Sequence, residues 1–228
     1  MDSPRDSIGS SSSRVAEDYL KAIWSSTEWG GEPATTSSLA KRFSTSKATV
    51  SINVKRLVAQ GLLEHVPYGE ITLTESGRKL AISMVRAHRV LETFLVDSLG
   101  YGWDEIHEIA ERMEHAATDE FIDRLHALLG HPAQDPHGDP IPTRQGGIDY
   151  PQDAHILGLD HQGTYEVVRI SDADSERLRE FAHVGIVPGA RIELTSETAH
   201  DARIAVLENG SRIPLSAEQL DLLIVRIV

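Results

Sequence analysis

Apolar residues recur at helical spacing from the start of the chain. Val15, Tyr19, Leu20, Ile23 and Trp24 fall on one face and predict an amphipathic helix, with Ser13 as its N-cap. Gly30-Gly31-Glu32-Pro33 breaks it. Leu39, Ala40 and Phe43 predict a short helix over residues 36–43. Val50, Val54 and Leu57 mark the buried stripe of a third over 47–60, which Gly61 ends from the C′ position. The period then falls from 3.6 to 2. Residues 62–66 and 71–74 predict two strands around a Tyr68-Gly69-Glu70 turn. Two helices joined by Ser44-Thr45-Ser46 and followed by a hairpin have the order of a winged helix-turn-helix. An ordinary small α+β domain with one basic helix would share these elements.

The middle third is helical again. Leu80, Ala81, Met84, Val85, Val90, Leu91, Phe94 and Leu95 predict a long helix over 74–99, broken at Gly100-Tyr101-Gly102. A second helix covers 107–115, and a third covers 118–129 through Phe121, Ile122, Leu125, Leu128 and Leu129. Three such helices carry more apolar surface than so small a subdomain can hide, which predicts pairing with a second copy. Residues 131–151, with Asp135-Pro136-His137-Gly138-Asp139-Pro140-Ile141-Pro142, are rich in Pro and Gly and predict a turn-rich linker, although their His and Asp are also metal ligands. The last third alternates: strands over 164–170, 191–195, 202–208 and 222–228, a short helix over 175–183, and a hairpin signal at Asn209-Gly210. That pattern predicts a small SH3-like β-barrel without a catalytic motif. The fold class is α+β, mainly α: a winged helix-turn-helix, a helical dimerisation domain and the SH3-like barrel. The expected divisions are a disordered tail at 1–13, a DNA-binding domain at 14–76, a metal-binding and dimerisation domain at 77–142, a linker at 143–160 and an SH3-like, FeoA-like domain at 161–228.

Charge sharpens this division. The net charge is −13, yet residues 1–82 carry 10 Lys/Arg against 9 Asp/Glu, while 83–150 carry 5 against 13 and 151–228 carry 7 against 13. Phosphate contacts therefore belong to the first third. On the third helix, Ser46, Lys47, Thr49, Ser51, Asn53, Lys55 and Arg56 lie opposite the buried stripe and, with Thr45 of the turn, are the candidate DNA contacts. No apolar run is long enough for a membrane span, and the first residues lack the apolar core of a signal peptide, so a cytoplasmic protein is expected. The chain has no cysteine, so any metal site is built from His, Asp and Glu.

Such a site is suggested by residues 107–115. His107, Glu111, Glu114 and His115 project within about 100° of one another on a helix. Two imidazoles and two carboxylates form a hard donor set suited to manganese, iron or zinc. A solvated acidic face would have the same composition.

The ordered set Val15-Ala16-Glu17-Asp18-Tyr19-Leu20, Thr49-Val50-Ser51, Ile71-Thr72-Leu73-Thr74, His88-Arg89-Val90-Leu91-Glu92, Glu111-Arg112-Met113-Glu114-His115 and residues 135–142 resembles the diphtheria-toxin-repressor family of metal-dependent transcriptional regulators. Within it, the actinobacterial manganese-responsive branch is the most similar. The resemblance implies a primary metal site at Asp18, Glu111, Glu114 and His115, and an ancillary site at His88, Glu92 and His107. It also implies a ligand from the C-terminal barrel near Asp174, a residue that would otherwise serve as an N-cap. Iron-responsive members carry methionine at the Asp18 position and cysteine at the Glu111 position; two carboxylates here imply Mn(II), with Fe(II), Co(II) or Zn(II) as substitutes. Manganese-responsive members outside actinobacteria place a glutamate three residues after the aspartate for a paired-metal site, and this chain has Lys21 there.

The implied function is a Mn(II)-activated homodimeric repressor of manganese homeostasis genes. Its partners would be double-stranded operator DNA and a second copy, with no membrane and no small-molecule substrate. The rival readings are an Fe(II)-dependent repressor of the same family, a dinuclear metal hydrolase, and a barrel acting as a free-standing peptide-binding module.

Overall fold

The computed structural model describes residues 12–66, 69–199 and 201–228. Most of the expected tail, residues 1–11, lies outside that range, as do Pro67 and Tyr68 of the expected wing turn. The described residues form two compact units.

The first unit holds the described residues up to His88 together with Arg112–Leu125 and Pro142–Gly147. Helix α1 (Ser12–Glu28) buries Tyr19, Leu20, Ile23 and Trp24, the face set by the apolar spacing. It begins at Ser12, so Ser13 is inside the first turn and is not the N-cap. Helix α2 (Thr36–Arg42) starts in a capping box in which Thr35 and Ser38 satisfy each other's backbone N–H groups. Helix α3 (Lys47–Ala59) is capped by Ser46, whose hydroxyl accepts from the Thr49 N–H, and buries Val50, Val54 and Leu57.

Strands β1 (Leu63–His65) and β2 (Ile71–Leu73) pair antiparallel, with Leu63 opposite Leu73. Helix α4 (Glu75–Asp97) follows one residue later, its first turn satisfied by the Thr74 hydroxyl, which accepts from Gly77 N. A Cβ at Gly77 would lie 2.0 Å from the Leu62 carbonyl oxygen, so only glycine lets α4 start against the end of the wing. Helix α5 (Ile106–Glu114) lies one residue earlier than the pattern predicts, and helix α6 (Asp119–Leu128) is shorter by one residue at each end. His115 therefore lies in the turn immediately after α5.

The second unit holds Arg89–Glu111, His126–Ile141 and Ile148–Val228. Its antiparallel sheet is built from β3 (His155–Ile156), β4 (Gly163–Ile170), β5 (Arg191–Ala199), β6 (Ala202–Leu207), β7 (Arg212–Ser216) and β8 (Leu223–Ile227), in the order β3-β8-β4-β5-β6-β7. Helix α7 (Ser175–Val184) and helix α8 (Ala217–Leu220) pack on it. Phe181, Leu178, Ile170, Val167, Ile192, Leu194, Leu215 and Leu220 share one apolar cluster, so the period-2 pattern has one face in the core. β6 and β7 are joined through Asn209-Gly210 as the hairpin signal predicts, with Val206 opposite Arg212 and Gly210 at φ +82.

Residues 131–142 are not a solvated linker. Asp135, His137 and Asp139 are 7%, 0% and 2% exposed. The Asp135 carboxylate accepts the backbone N–H groups of His137 and Asp139 at 2.9 Å each, and Ile170 N donates to His137 O at 2.9 Å. The prolines and glycine that predict a linker instead shape a turn that is folded inward. Gly138 has φ +90, and a Cβ there would come within 2.0 Å of the Val168 carbonyl oxygen.

Candidate metal centre

In the first unit, Asp18, Glu114 and His115 each offer a ligand atom within 4.8 Å of the others. Asp18 comes from α1 and Glu114 from the last residue of α5, with His115 immediately beyond it. The His115 ring is held at both edges: Nδ1 lies 2.7 Å from Glu17 Oε2, and Nε2 lies 3.0 Å from Asp18 Oδ1. These two carboxylates, Asp18 foremost, raise the imidazole to about 9, with burial working against them. Glu17 was not among the sequence candidates. Its 5% exposure follows from its place on the apolar side of α1, and only the adjacency to Asp18 hinted at a role.

Glu114 is 1% exposed and has further partners. His88 Nδ1 lies 2.5 Å from its Oε2, and Lys21 Nζ is 2.9 Å from both oxygens. Burial alone would push this carboxyl up; His88 first and Lys21 next outweigh it and hold the group below its ordinary value. Glu111, expected in the same set, is exposed and stands outside the group formed by Asp18, Glu114 and His115.

In the second unit Glu92, 0% exposed, is shared by two clusters, one with His107 and Asp172 and one with Asp135 and His137. His107 Nδ1 lies 3.0 Å from Asp172 Oδ2 and 3.5 Å from Glu92 Oε1. Burial lowers the His107 imidazole, but Asp172 and then Glu92 outweigh it and raise the ring to about 10. His107 holds the Asp172 carboxyl well below the usual range against burial. His88, the third residue expected here, stands one turn before Glu92 on α4.

Asp174 is absent from this group. Its carboxylate caps α7 by accepting from Glu176 N at 3.0 Å and Arg177 N at 3.2 Å, the N-cap alternative. The carboxylate that the barrel does bring to His107 is Asp172, two residues earlier, just past the end of β4. A two-residue offset in a loop leaves no periodic signal.

On the other side of Glu92, His137 Nε2 donates to the Trp103 carbonyl at 2.8 Å, while Nδ1 is buried without a hydrogen-bond partner, 3.7 Å from Glu92 Oε2. Burial pushes this imidazole down, and Glu92, Asp135 and Asp172 outweigh it to raise the ring to about 10. Burial, then the negative charges of Asp139 and Glu92, push the Asp135 carboxyl well up. Arg89 reaches Asp139 at 3.2 Å and Asp135 at 3.7 Å, and Arg169 donates to Asp139 at 2.8 Å, which anchors the turn.

These donor sets fit a divalent ion. Each combines imidazole with carboxylate oxygen, and the buried, unpartnered His137 Nδ1 faces the Glu92 carboxylate.

The expected DNA contacts all lie on or just before α3, but they are not equivalent. Lys47, Thr49 and Lys55 are exposed. Ser46 is used as the cap, Ser51 donates to Lys47 O, and Asn53 donates to Thr49 O and to the Tyr19 hydroxyl. Arg56 has Nε and Nη2 shielded from solvent, and Thr45 is half-buried. Among the described residues no helix is long and apolar enough to cross a membrane.

Residues 12–71 match the model of the iron dependent repressor N-terminal DNA binding domain, 74–143 that of the iron dependent repressor metal binding and dimerisation domain, and 157–227 the FeoA domain. The chain is 38% identical over 208 residues to the iron-dependent repressor IdeR of Mycobacterium leprae, covering 86% of this chain and 89% of that protein. It is 32% identical over 211 residues to IdeR of Mycobacterium tuberculosis, with the same coverage. Among solved structures, a manganese-dependent transcriptional repressor in complex with manganese superposes with a TM-score of 0.87 at 41% identity, over 93% of this chain and all of that one. ScaR with bound Zn2+ gives 0.80 at 29% identity, over 93% of this chain and 99% of that one. The chain belongs to the diphtheria-toxin-repressor family of metal-dependent transcriptional repressors, which are regulators and not enzymes.

Proposed function

We propose that the chain is a Mn(II)-activated, cytoplasmic, homodimeric repressor that binds double-stranded operator DNA and controls manganese homeostasis genes. The observation that carries the choice of metal is the donor set. Asp18, Glu114, His115, Glu92, His107, Asp172, Asp135 and His137 supply only hard oxygen and imidazole nitrogen, and the chain has no cysteine. The 41% identity to a manganese-dependent repressor in complex with manganese supports the same reading. A divalent ion would supply a centre of positive charge shared by these carboxylates and imidazoles.

The primary site in this reading is Asp18, Glu114 and His115. The second is Glu92, His107 and Asp172, with Asp135 and His137 on the other face of the Glu92 carboxylate. Residues 14–76 would read DNA, 77–142 would pair the protomers, and 161–228 would complete the second site. Asp18 sits on the helix that precedes the DNA reader, so loading the primary site fixes α1 against the end of α5. Lys47 and Lys55 would contact phosphates, with Thr45, Ser46, Thr49, Ser51, Asn53 and Arg56 beside them. In a dimer the two α3 helices would lie about one DNA turn apart, roughly 34 Å. Operator affinity and metal affinity are then reciprocally coupled.

Iron activation is the second reading, favoured by the 32–38% identity to repressors named iron-dependent. Fluorescence anisotropy with labelled operator DNA, at matched free Mn(II) and Fe(II) under anaerobic conditions, separates the two. Tighter operator binding with Mn(II) is expected. Equal affinity with Mn(II) and with chelator would end the metal-activated reading altogether.

A further inference from the structure

We propose that the Lys21 ammonium is a tethered cation that fills the position between Glu114 and His88 and so holds the primary site to one ion per protomer. The inference rests on Asp18, Glu114 and His115 being a metal site.

Three donors surround the ammonium as a coordination shell would. Nζ lies 2.9 Å from Glu114 Oε1, 2.9 Å from Glu114 Oε2 and 3.0 Å from His88 Nδ1. The three residues come from α1, α4 and α5, and are 7%, 4% and 1% exposed. An ammonium has three N–H donors and accepts nothing. Two carboxylate oxygens accept from it at 2.9 Å, and His88 Nδ1, which also lies 2.5 Å from Glu114 Oε2, accepts from it only when it is not giving its own proton to that carboxylate; carboxylate oxygen and ring nitrogen are thus the groups around it. They are also the kind of partner the neighbouring cluster offers, and Glu114 belongs to both groups. Without Lys21, Glu114 would bridge two adjoining pockets: Asp18 and His115 on one side, His88 on the other.

A lysine in that second position differs from a free ion in one respect: it is bonded to α1 and cannot be exchanged with solution. Asp18 and Lys21 are three residues apart on that helix, so they project from neighbouring turns of one face. Helix α1 thereby presents one group that completes an ion's shell and one that replaces an ion. The buried Glu114 carboxylate has a positive partner before any metal arrives, and a second divalent ion finds its place taken.

The test uses the full chain, stripped with chelator and then dialysed against Mn(II), with bound metal counted by elemental analysis. Lys21→Met keeps the length of the side chain and removes its charge. The metal-free variant should melt lower than the parent, because the buried Glu114 carboxylate loses one of its two positive partners and keeps only His88. It should recover in Mn(II) and hold one more Mn(II) per protomer. Lys21→Arg should match the parent count. Lys21→Met combined with Glu114→Gln should regain metal-free stability without gaining the extra ion. Lower stability with an unchanged count would reduce Lys21 to a structural ion pair and overturn the proposal. A second count on Lys21→Met purified in Mn(II) throughout, without the chelator step, decides the matter even if the metal-free variant does not fold. Failure of the underlying metal reading looks different: Asp18→Ala would then leave the parent count unchanged.

Discussion

The two oxygens of Glu92 face different histidines: Oε1 lies 3.5 Å from His107 Nδ1, whereas Oε2 lies 3.7 Å from His137 Nδ1. One buried carboxylate therefore belongs to both donor clusters of the second unit. Glu92→Gln should impair both at once, while His107→Ala and His137→Ala should each impair one. Isothermal titration with Mn(II) would show the glutamine variant losing affinity by at least as much as either histidine variant; an unchanged isotherm would remove Glu92 from the ligand set.

Asp18→Ala should leave the winged helix folded but weaken its coupling to metal. Typical coupling free energies of 1–3 kcal/mol predict a loss of about 5–150-fold in Mn(II)-dependent operator affinity, read by anisotropy at saturating Mn(II). Full operator affinity in this variant would contradict the role given to α1.

The His115 ring makes metal-free stability dependent on pH in a defined direction. Its folded value, raised to about 9 by Asp18 and Glu17, lies above the ordinary histidine value of 6.5. The protonated ring therefore binds better in the folded chain, and its contribution is complete below about pH 6.5 and is lost as pH rises through about 9. Urea midpoints of metal-free protein between pH 6 and pH 9.5 should fall more in the parent than in His115→Gln.

Lys47→Ala and Lys55→Ala should weaken operator binding without changing which operator is preferred. Each is expected to reduce the slope of log affinity against log salt by about 1. A shift in base preference would instead place the side chain at a base edge.

Gly138→Ala combines a positive φ with a Cβ only 2.0 Å from the Val168 carbonyl. A cost of roughly 1–3 kcal/mol for the strained backbone, plus the displaced strand, is expected in chemical denaturation. Lower Mn(II) affinity should accompany it, because the turn that carries Asp135 and His137 would move.

Elements with a period were legible in the sequence. The stripe Val50, Val54, Leu57 and the alternation in β4 and β5 are buried as their spacing demands. The candidate site was legible where it rides on a helix: Asp18, Glu92, His107 and Glu114 are placed by α1, α4 and α5. It was not legible where loops deliver the ligand. Asp172 and Asp174 have the same composition and surroundings in sequence, and only the hydrogen bonds that make Asp174 a cap separate them. Asp135 and His137 were disguised by the prolines and glycine around them, since residues that shape a buried turn also compose a linker. Glu111 fits the stripe by its spacing, yet it is exposed and stands outside the group of Asp18, Glu114 and His115.

The close approach of Gly138 to the β4 backbone bears on how separable the FeoA domain is. Strand β4 supplies the Val168 carbonyl against Gly138, the Ile170 N–H that His137 O accepts and the Arg169 guanidinium that holds Asp139, and Asp172 follows directly after it. A chain shortened to its first two family domains would keep the sequence of the 131–142 turn and lose the strand against which that turn is moulded. Such a truncation would thus behave as a metal-binding lesion, and the boundary drawn by sequence between the second and third domains runs through the middle of one chemical object.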